Sequence, residues 1–208
     1  MQYIMTQCTY CDTRRLSSSW GMNFLHRKLC ASAKWKEVVQ RYALPWTLEQ
    51  IDLGGEVLEI GSGYGVATEV LQQQVRNLTC VESDCRLTER LRRKLQGNLA
   101  IRCEDATEMS LPGESFDGVV CFTMLHHIRS VELQNKLFVE VARVLRPGGV
   151  FAGTDSLKGC VMRLIHVFDT LVLVDPKTLP RRLTAAGFEN VQVDINPYAF
   201  RFRAWKPK

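Results

Sequence analysis

The side chains with the most chemical promise sit in the middle of the chain. Glycines at 61, 63 and 65 follow the strand-like run Val57–Ile60, within the stretch VLEIGSGYG. Such a turn lets backbone approach a nucleotide closely. Glu82 stands 21 residues after Gly61, where a strand-end carboxylate can accept both hydroxyls of a ribose. Asp105, in the sequence EDA, is a second acid. His126 and His127 are adjacent. An imidazole near its ordinary pKa could take a proton from a nucleophile.

A different group lies near the start. Cys8, Cys11, His26 and Cys30 have the spacing C-x2-C-x14-H-x3-C, and thiolates with an imidazole can hold zinc tetrahedrally. One CxxC without a second is a modest signal. The expectation is a tail followed by an ordinary helix, with no metal assigned. Residues 1–15 have little to bury and are expected to be mobile.

These residues need elements to position them. The 208-residue chain suits one domain, residues 1–208, with 1–54 as tail and helical lid and 55–208 as the core. WGMNFLHRKLCASAKWKEVVQRY reads as one helix, with Phe24, Leu25, Leu29, Trp35, Val38 and Val39 as its apolar positions and Pro45 interrupting it. Strands are expected at 57–60, 78–81, 99–103, 118–122 and 150–154. Helices are expected from about Tyr64, over 85–96 and after a Ser130 cap. RPGG (146–149) stops the last of these. A helix at about 179–186 ends at Gly187. VQVDI and FRFRA then alternate apolar and polar residues, as a terminal hairpin does. Short apolar strands alternating with helices predict an α/β fold. It should be a three-layer Rossmann-like sandwich with a seven-stranded, mostly parallel sheet and an antiparallel terminal strand.

Composition narrows the partners. The net charge is +5 with dispersed basic residues. Arg86, Arg90, Arg93 and Lys94 read as a solvated helix face rather than a nucleic-acid surface. No apolar run reaches the ~18 residues of a membrane span, and the N-terminus lacks a secretory pattern. The expectation is a cytoplasmic protein. Cys80, Cys103 and Cys121 are then small hydrophobes rather than disulfide partners.

NAD and S-adenosylmethionine both carry the ribose that Glu82 would hold, and the sixth position of Gly-x-Gly-x-x-Gly is Val66. The glycines alone leave the nucleotide open. The later segments CEDATEMSLPGESFDGVVCFTMLHHI and ARVLRPGGVFAGTD, in this order, resemble class I S-adenosylmethionine-dependent methyltransferases of the small type 11 group. The resemblance covers roughly residues 55–155.

It implies a cofactor site. Glu59 would lie near the methionine end, and Gly61, Ser62, Gly63 and Gly65 would pass the cofactor. Glu82 would bind the ribose, Ser83 and Asp84 would flank the adenine, and Asp105 with Ala106 would meet the adenine amino group. Cys121 and Phe122 would pass the sulfonium. Phe116, Asp117 and RPGG would be structural. The acceptor pocket would open beside His126 and His127, as base or as pocket wall. Neither the Asn/Asp-Pro-Pro-aromatic run nor the Pro-Cys pair of nucleic-acid methyltransferases follows the fourth strand. A small-molecule acceptor is therefore expected. An RNA methyltransferase with a zinc-bound N-terminal module and a non-catalytic cofactor-binding protein stay as alternatives. Trp20, Phe24, Trp35 and Tyr42, with the insert after the fifth strand, would cover an apolar acceptor or simply one sheet face. Acceptor identity and oligomeric state stay open.

Overall fold

The computed structural model describes residues 23–208. Cys8, Cys11, Trp20 and the expectation for residues 1–15 lie outside the described residues.

Five parallel strands carry the alternating half of the chain: β1 (Glu56–Ile60), β2 (Asn77–Glu82), β3 (Leu99–Cys103), β4 (Phe116–Phe122) and β5 (Leu145–Ser156). The terminal hairpin, β6 (Glu189–Ile195) and β7 (Ala199–Trp205), completes one sheet in the order β3-β2-β1-β4-β5-β7-β6. β7 runs antiparallel to both neighbours. The chain crosses from one half of the sheet to the other between β1 and β4. In open α/β sheets ligands bind at such a switch point, beyond the carboxyl ends of the strands.

Helices cover both faces. They are α1 (Phe24–Cys30), α2 (Ala33–Val38), α3 (Leu44–Leu48), α4 (Thr68–Gln74), α5 (Cys85–Lys94), α6 (Val131–Val144), α7 (Cys160–Ile165) and α8 (Leu179–Ala185). Side-chain alternation along the strands divides the core into two layers. Leu58, Ile60, Val119 and Cys121 pack on one face against Leu137, Phe138 and Val141 of α6. Val57, Cys80, Val120 and Phe122 pack on the other, with Leu71 of α4 and Val39. Asp117 has the expected structural role: its Oδ2 accepts the Gly55 and Glu56 N–H groups at 3.0 and 2.9 Å, fixing the start of β1.

The N-terminal helix departs from expectation twice. It breaks at Ser32, whose Oγ accepts the Trp35 N–H and caps α2 (3.1 Å). Pro45 then does not interrupt it. A π-helical turn over Val39–Ala43 leads directly into α3, with Pro45 in its first turn, and the wider turn accommodates the missing N–H. Several of its apolar residues do not cover the sheet: Phe24 is 73% and Tyr42 63% exposed, and Leu25 is exposed too. Val39 is buried. Gln40 Nε2 donates to the Val66 carbonyl at 2.9 Å and Lys36 pairs with Glu69 at 2.5 Å, which docks this segment beside the glycine turn.

The cysteines bring a second correction. Cys85 and Cys103 form a disulfide that joins the start of α5 to the end of β3, with Cα atoms 5.1 Å apart. The sequence hides this pairing because Cys103 sits in an apolar strand run. Strand and helix ends meet only through the βα crossover. Cys80 and Cys121 are buried thiols, as expected.

Candidate active site

A cleft of about 710 Å³ opens at the switch point between β1 and β4. This is a size suited to a nucleotide with a small second ligand. Its floor is the turn after β1. Gly61 has φ +72° and the Cβ of any other residue would lie 2.9 Å from the Met124 side chain, so both its conformation and its neighbour require glycine. Glu82, at the end of β2, accepts the Gly63 N–H through Oε2 and the Asp84 N–H through Oε1, each at 2.9 Å. Two carboxylate oxygens have about four lone-pair sites, so capacity remains for ribose hydroxyls. The buried Ser62 Oγ, also in the cleft wall, has no hydrogen-bond partner among the described residues. A bound polar ligand would supply one.

Most of the expected cofactor residues line this cleft: Glu59, Gly61, Ser62, Gly63, Glu82, Ser83, Asp105, Ala106 and Phe122. Two do not. Cys121 is fully buried and faces the α6 layer, because Phe122 next to it takes the cleft side of the strand. Gly65 packs under the turn; a Cβ there would lie 2.4 Å from Leu91 Cδ2 of α5. Glu59 turns inward. Its Oε2 accepts the Thr68 hydroxyl at 2.6 Å and the Cys80 thiol at 3.3 Å, and burial pushes its carboxyl up to about 7. These bonds tie β1 to α4 and β2. Asp105 caps its own turn by accepting the Thr107 N–H at 2.8 Å.

Arg27, Cys30, Trp35 and Val39 from the N-terminal segment also wall the cleft, Trp35 and Val39 beside the glycine turn. Met124, His127 and Ile128 follow β4, and Phe168, Asp169 and Thr170 come from the insert. The insert is held by specific bonds. Asn23 Nδ2 donates to the Ile165 and Val167 carbonyls at 2.7 and 2.9 Å, and the Asn23 N–H donates to Asp169 Oδ1 at 2.6 Å. Gln134 Nε2 donates to the Leu125 and Val172 carbonyls at 3.1 and 2.8 Å, joining α6, the histidine turn and the insert.

His126 and His127 separate in environment although adjacent in sequence. They sit in a 3₁₀ turn, Leu125–His127. His126 is buried and does not reach the cleft wall. Its Nδ1 lies 2.5 Å from Asp155 Oδ1, and its N–H donates to Asp155 Oδ2 at 3.0 Å. Only His127 faces the cleft. Burial, then the neighbouring imidazoles, push its pKa down to about 2. A ring so hard to protonate is a poor proton acceptor at neutral pH. His26 and His166 join the same cluster. Their ring centroids are 4.3 Å apart, and His26 stacks on His127 at 5.1 Å. Burial lowers the pKa of both, with the Asp169 bond opposing it for His26. Reading the sequence segment by segment missed His166, Asp155 and Asp169. The one signal is that the chain has only four histidines, and the fold gathers them all.

Known proteins resemble this chain in sequence and in fold. A methyltransferase-domain family matches residues 58–153. The chain is 34% identical over 94 residues to ribosomal RNA small subunit methyltransferase A of Fusobacterium nucleatum, covering 44% of this chain and 32% of that protein. It is 33% identical over 119 residues to a fatty-acid O-methyltransferase of Mycolicibacterium smegmatis, covering 53% and 40%. The chain therefore spans about a third to two-fifths of the curated relatives it matches. Among solved structures, a putative methyltransferase complexed with the Haloferax volcanii Trm112 activator superposes with a TM-score of 0.72 at 14% identity, over 88% of this chain and 98% of that one. Haemonchus contortus phosphoethanolamine N-methyltransferase 2 with S-adenosyl-L-methionine gives 0.68 at 15%, over 90% and 61%. Residues 58–153 thus match a methyltransferase-domain family, and the described chain has the Rossmann-like fold of the solved methyltransferases on which it superposes.

Proposed function

We propose that this protein transfers the methyl group of S-adenosylmethionine to a small, partly apolar acceptor. The observation that carries the reading is the convergence of the glycine turn, Glu82 and Asp105 on one end of a single cleft. The same cleft is lined further by Met124, His127 and Ile128 after β4, by Asp169 and Thr170 of the insert, and by Trp35 and Val39 beside the glycine turn. The bound cofactor supplies an electrophilic methyl on a positively charged sulfur. The chain's residues bind, align and exclude water. Glu82 fixes the ribose, the glycines at 61 and 63 let the backbone pass close to the cofactor, and the Ser62 hydroxyl between them is available to bond it. The helices over 24–48 and the insert restrict water at the acceptor end. Alignment of this kind supplies much of the rate of an in-line displacement. The fatty-acid O-methyltransferase relative supports an acceptor with an apolar body.

A second reading is kept because a ribosomal RNA methyltransferase matches over 94 residues. Against it, neither the Asn/Asp-Pro-Pro-aromatic run nor the Pro-Cys pair follows β4, although Arg27, Arg86 and Arg90 line the cleft together with Trp35, Val39 and Ile128. Assaying release of S-adenosylhomocysteine against carboxylic acids, amines, thiols and transcribed RNA tests both. Turnover with a small molecule supports the proposal; turnover with RNA alone overturns it.

No helix among the described residues is long and apolar enough to cross a membrane. A cytoplasmic setting is part of this proposal. The Cys85–Cys103 disulfide is the observation against it. Thiol titration of the protein from reducing cells decides that point: free thiols at both positions agree with the setting, and an intact bond contradicts it.

A further inference from the structure

The imidazole cluster at the acceptor end is assembled from parts far apart in sequence. His26 comes from α1, His127 from the turn after β4, and His166 from the end of α7. One ring nitrogen of each is already held by the protein. His26 Nδ1 is 2.9 Å from Asp169 Oδ2, and His166 Nδ1 donates to the Met162 carbonyl at 2.7 Å. His127 is bonded to the Thr170 backbone. Fixing one nitrogen in this way orients the ring and leaves the other for a second partner, which is how ligating histidines are usually held. His166 Nε2 is buried and has no hydrogen-bond partner among the described residues, and the residue is only 5% exposed. Leaving such a nitrogen unpaired is costly. One nitrogen from each of His26, His127 and His166 lies within 4.8 Å of the other two.

We propose that His26, His127 and His166 bind a divalent transition-metal ion, zinc fitting best, with an open coordination position toward the cleft. Three imidazoles with one vacant position is a known arrangement for zinc that activates a ligand. Metal–nitrogen bonds of about 2.0–2.1 Å in a tetrahedron need the nitrogens roughly 3.3 Å apart, so the ligand atoms, now within 4.8 Å of one another, close in by up to about 1.5 Å on binding. The open side is set by His127, the one of the three that lines the cleft. Asp169 supplies negative charge behind His26. His126, held by Asp155, packs on His127 and His166 at 4.2 and 4.9 Å between ring centroids, as a positioning residue.

The role of the ion rests on the methyl transfer proposed above. An acceptor hydroxyl, carboxyl or thiol coordinates the metal and loses its proton to solvent. Its oxygen or sulfur then attacks the methyl carbon. The carbon–sulfur bond of the cofactor breaks, and its electron pair stays on sulfur as neutral S-adenosylhomocysteine. The metal stays divalent throughout.

The test uses the full chain, stripped with a chelator and titrated with Co²⁺ and then Zn²⁺. Stoichiometry, the cobalt ligand-field spectrum and calorimetry are the readouts. One Co²⁺ per chain, displaced by Zn²⁺, is expected. His26→Ala, His127→Ala and His166→Ala should each weaken the metal by about 100-fold or more, since losing a ligand exceeds the 10–100-fold typical of outer-shell changes. Binding of S-adenosylhomocysteine to the stripped protein should stay within about threefold, which checks both folding and the cofactor reading separately. No saturable site in the wild type would overturn the proposal. So would a site that survives the histidine variants but is lost in Cys8→Ser/Cys11→Ser. X-ray absorption of the wild-type zinc form needs no variant: a nitrogen and oxygen shell supports the site, and a shell with sulfur refutes it.

Discussion

The two ends of the cleft are built by different physics. The cofactor end is mostly backbone. Its shape comes from one turn after β1, a carboxylate at the end of β2 that grips Gly63 and Asp84, and a second acid in the loop after β3. The acceptor end is mostly side chain. Four imidazoles, two buried carboxylates and Gln134 hold together segments up to 146 residues apart, as in the Asn23–Asp169 bond. A backbone site tolerates change in the surrounding side chains and fails when a glycine or the gripping acid is lost. A side-chain site of buried polar groups is cooperative, and each member leaves an unpaired neighbour when removed.

The largest expected effect is therefore at the acceptor end. His126→Ala leaves Asp155, 1% exposed, without its ring partner. We expect a loss of about 3–5 kcal/mol in unfolding free energy, with cofactor affinity within about twofold. Urea unfolding with calorimetry checks this; unchanged stability would mean that the histidine end is not a cooperative unit.

The next effect is a pH dependence from Glu59, beneath the cofactor end. Its folded pKa of about 7 lies above the ordinary 4.5. The folded state therefore holds a proton that the unfolded chain has released between these values, and stability falls as pH rises across that window. The fall is about 3 kcal/mol between pH 4.5 and 7, levelling above. Glu59→Gln should flatten it. Denaturation at several pH values shows whether the slope disappears.

Much of this end was legible in the sequence because it is local. The glycine spacing, Glu82 at a strand end and the cap at Ser130 each lie within a short window, and the mostly parallel sheet with its antiparallel terminal strand followed from the alternation of elements. Cys121 was misplaced for a local reason too: strand alternation sends it and Phe122 to opposite faces, and the resemblance named both. The histidine cluster and the Cys85–Cys103 bond were not legible. Their partners meet only after the sheet has formed, and single histidines and cysteines carry no periodic signal. Pro45 was misread because a π-turn can absorb a missing donor, which a 3.6-residue pattern does not reveal.

Smaller effects test the cofactor end itself. Glu82→Ala removes the ribose acceptor and frees the Gly63 and Asp84 N–H groups; we expect cofactor affinity to fall by roughly 1.5–3 kcal/mol. Asp105→Ala should cost about 1 kcal/mol, because water can replace one bond to an exposed amino group. Affinities in the reverse order would show that adenine, not ribose, anchors the ligand.

The most direct measurement is calorimetric titration of the unmodified protein with S-adenosylhomocysteine and, separately, NAD. We expect one molecule of S-adenosylhomocysteine bound per chain in the low-micromolar range, about 8 kcal/mol, and no heat from NAD. Binding of NAD with no response to S-adenosylhomocysteine would contradict the account.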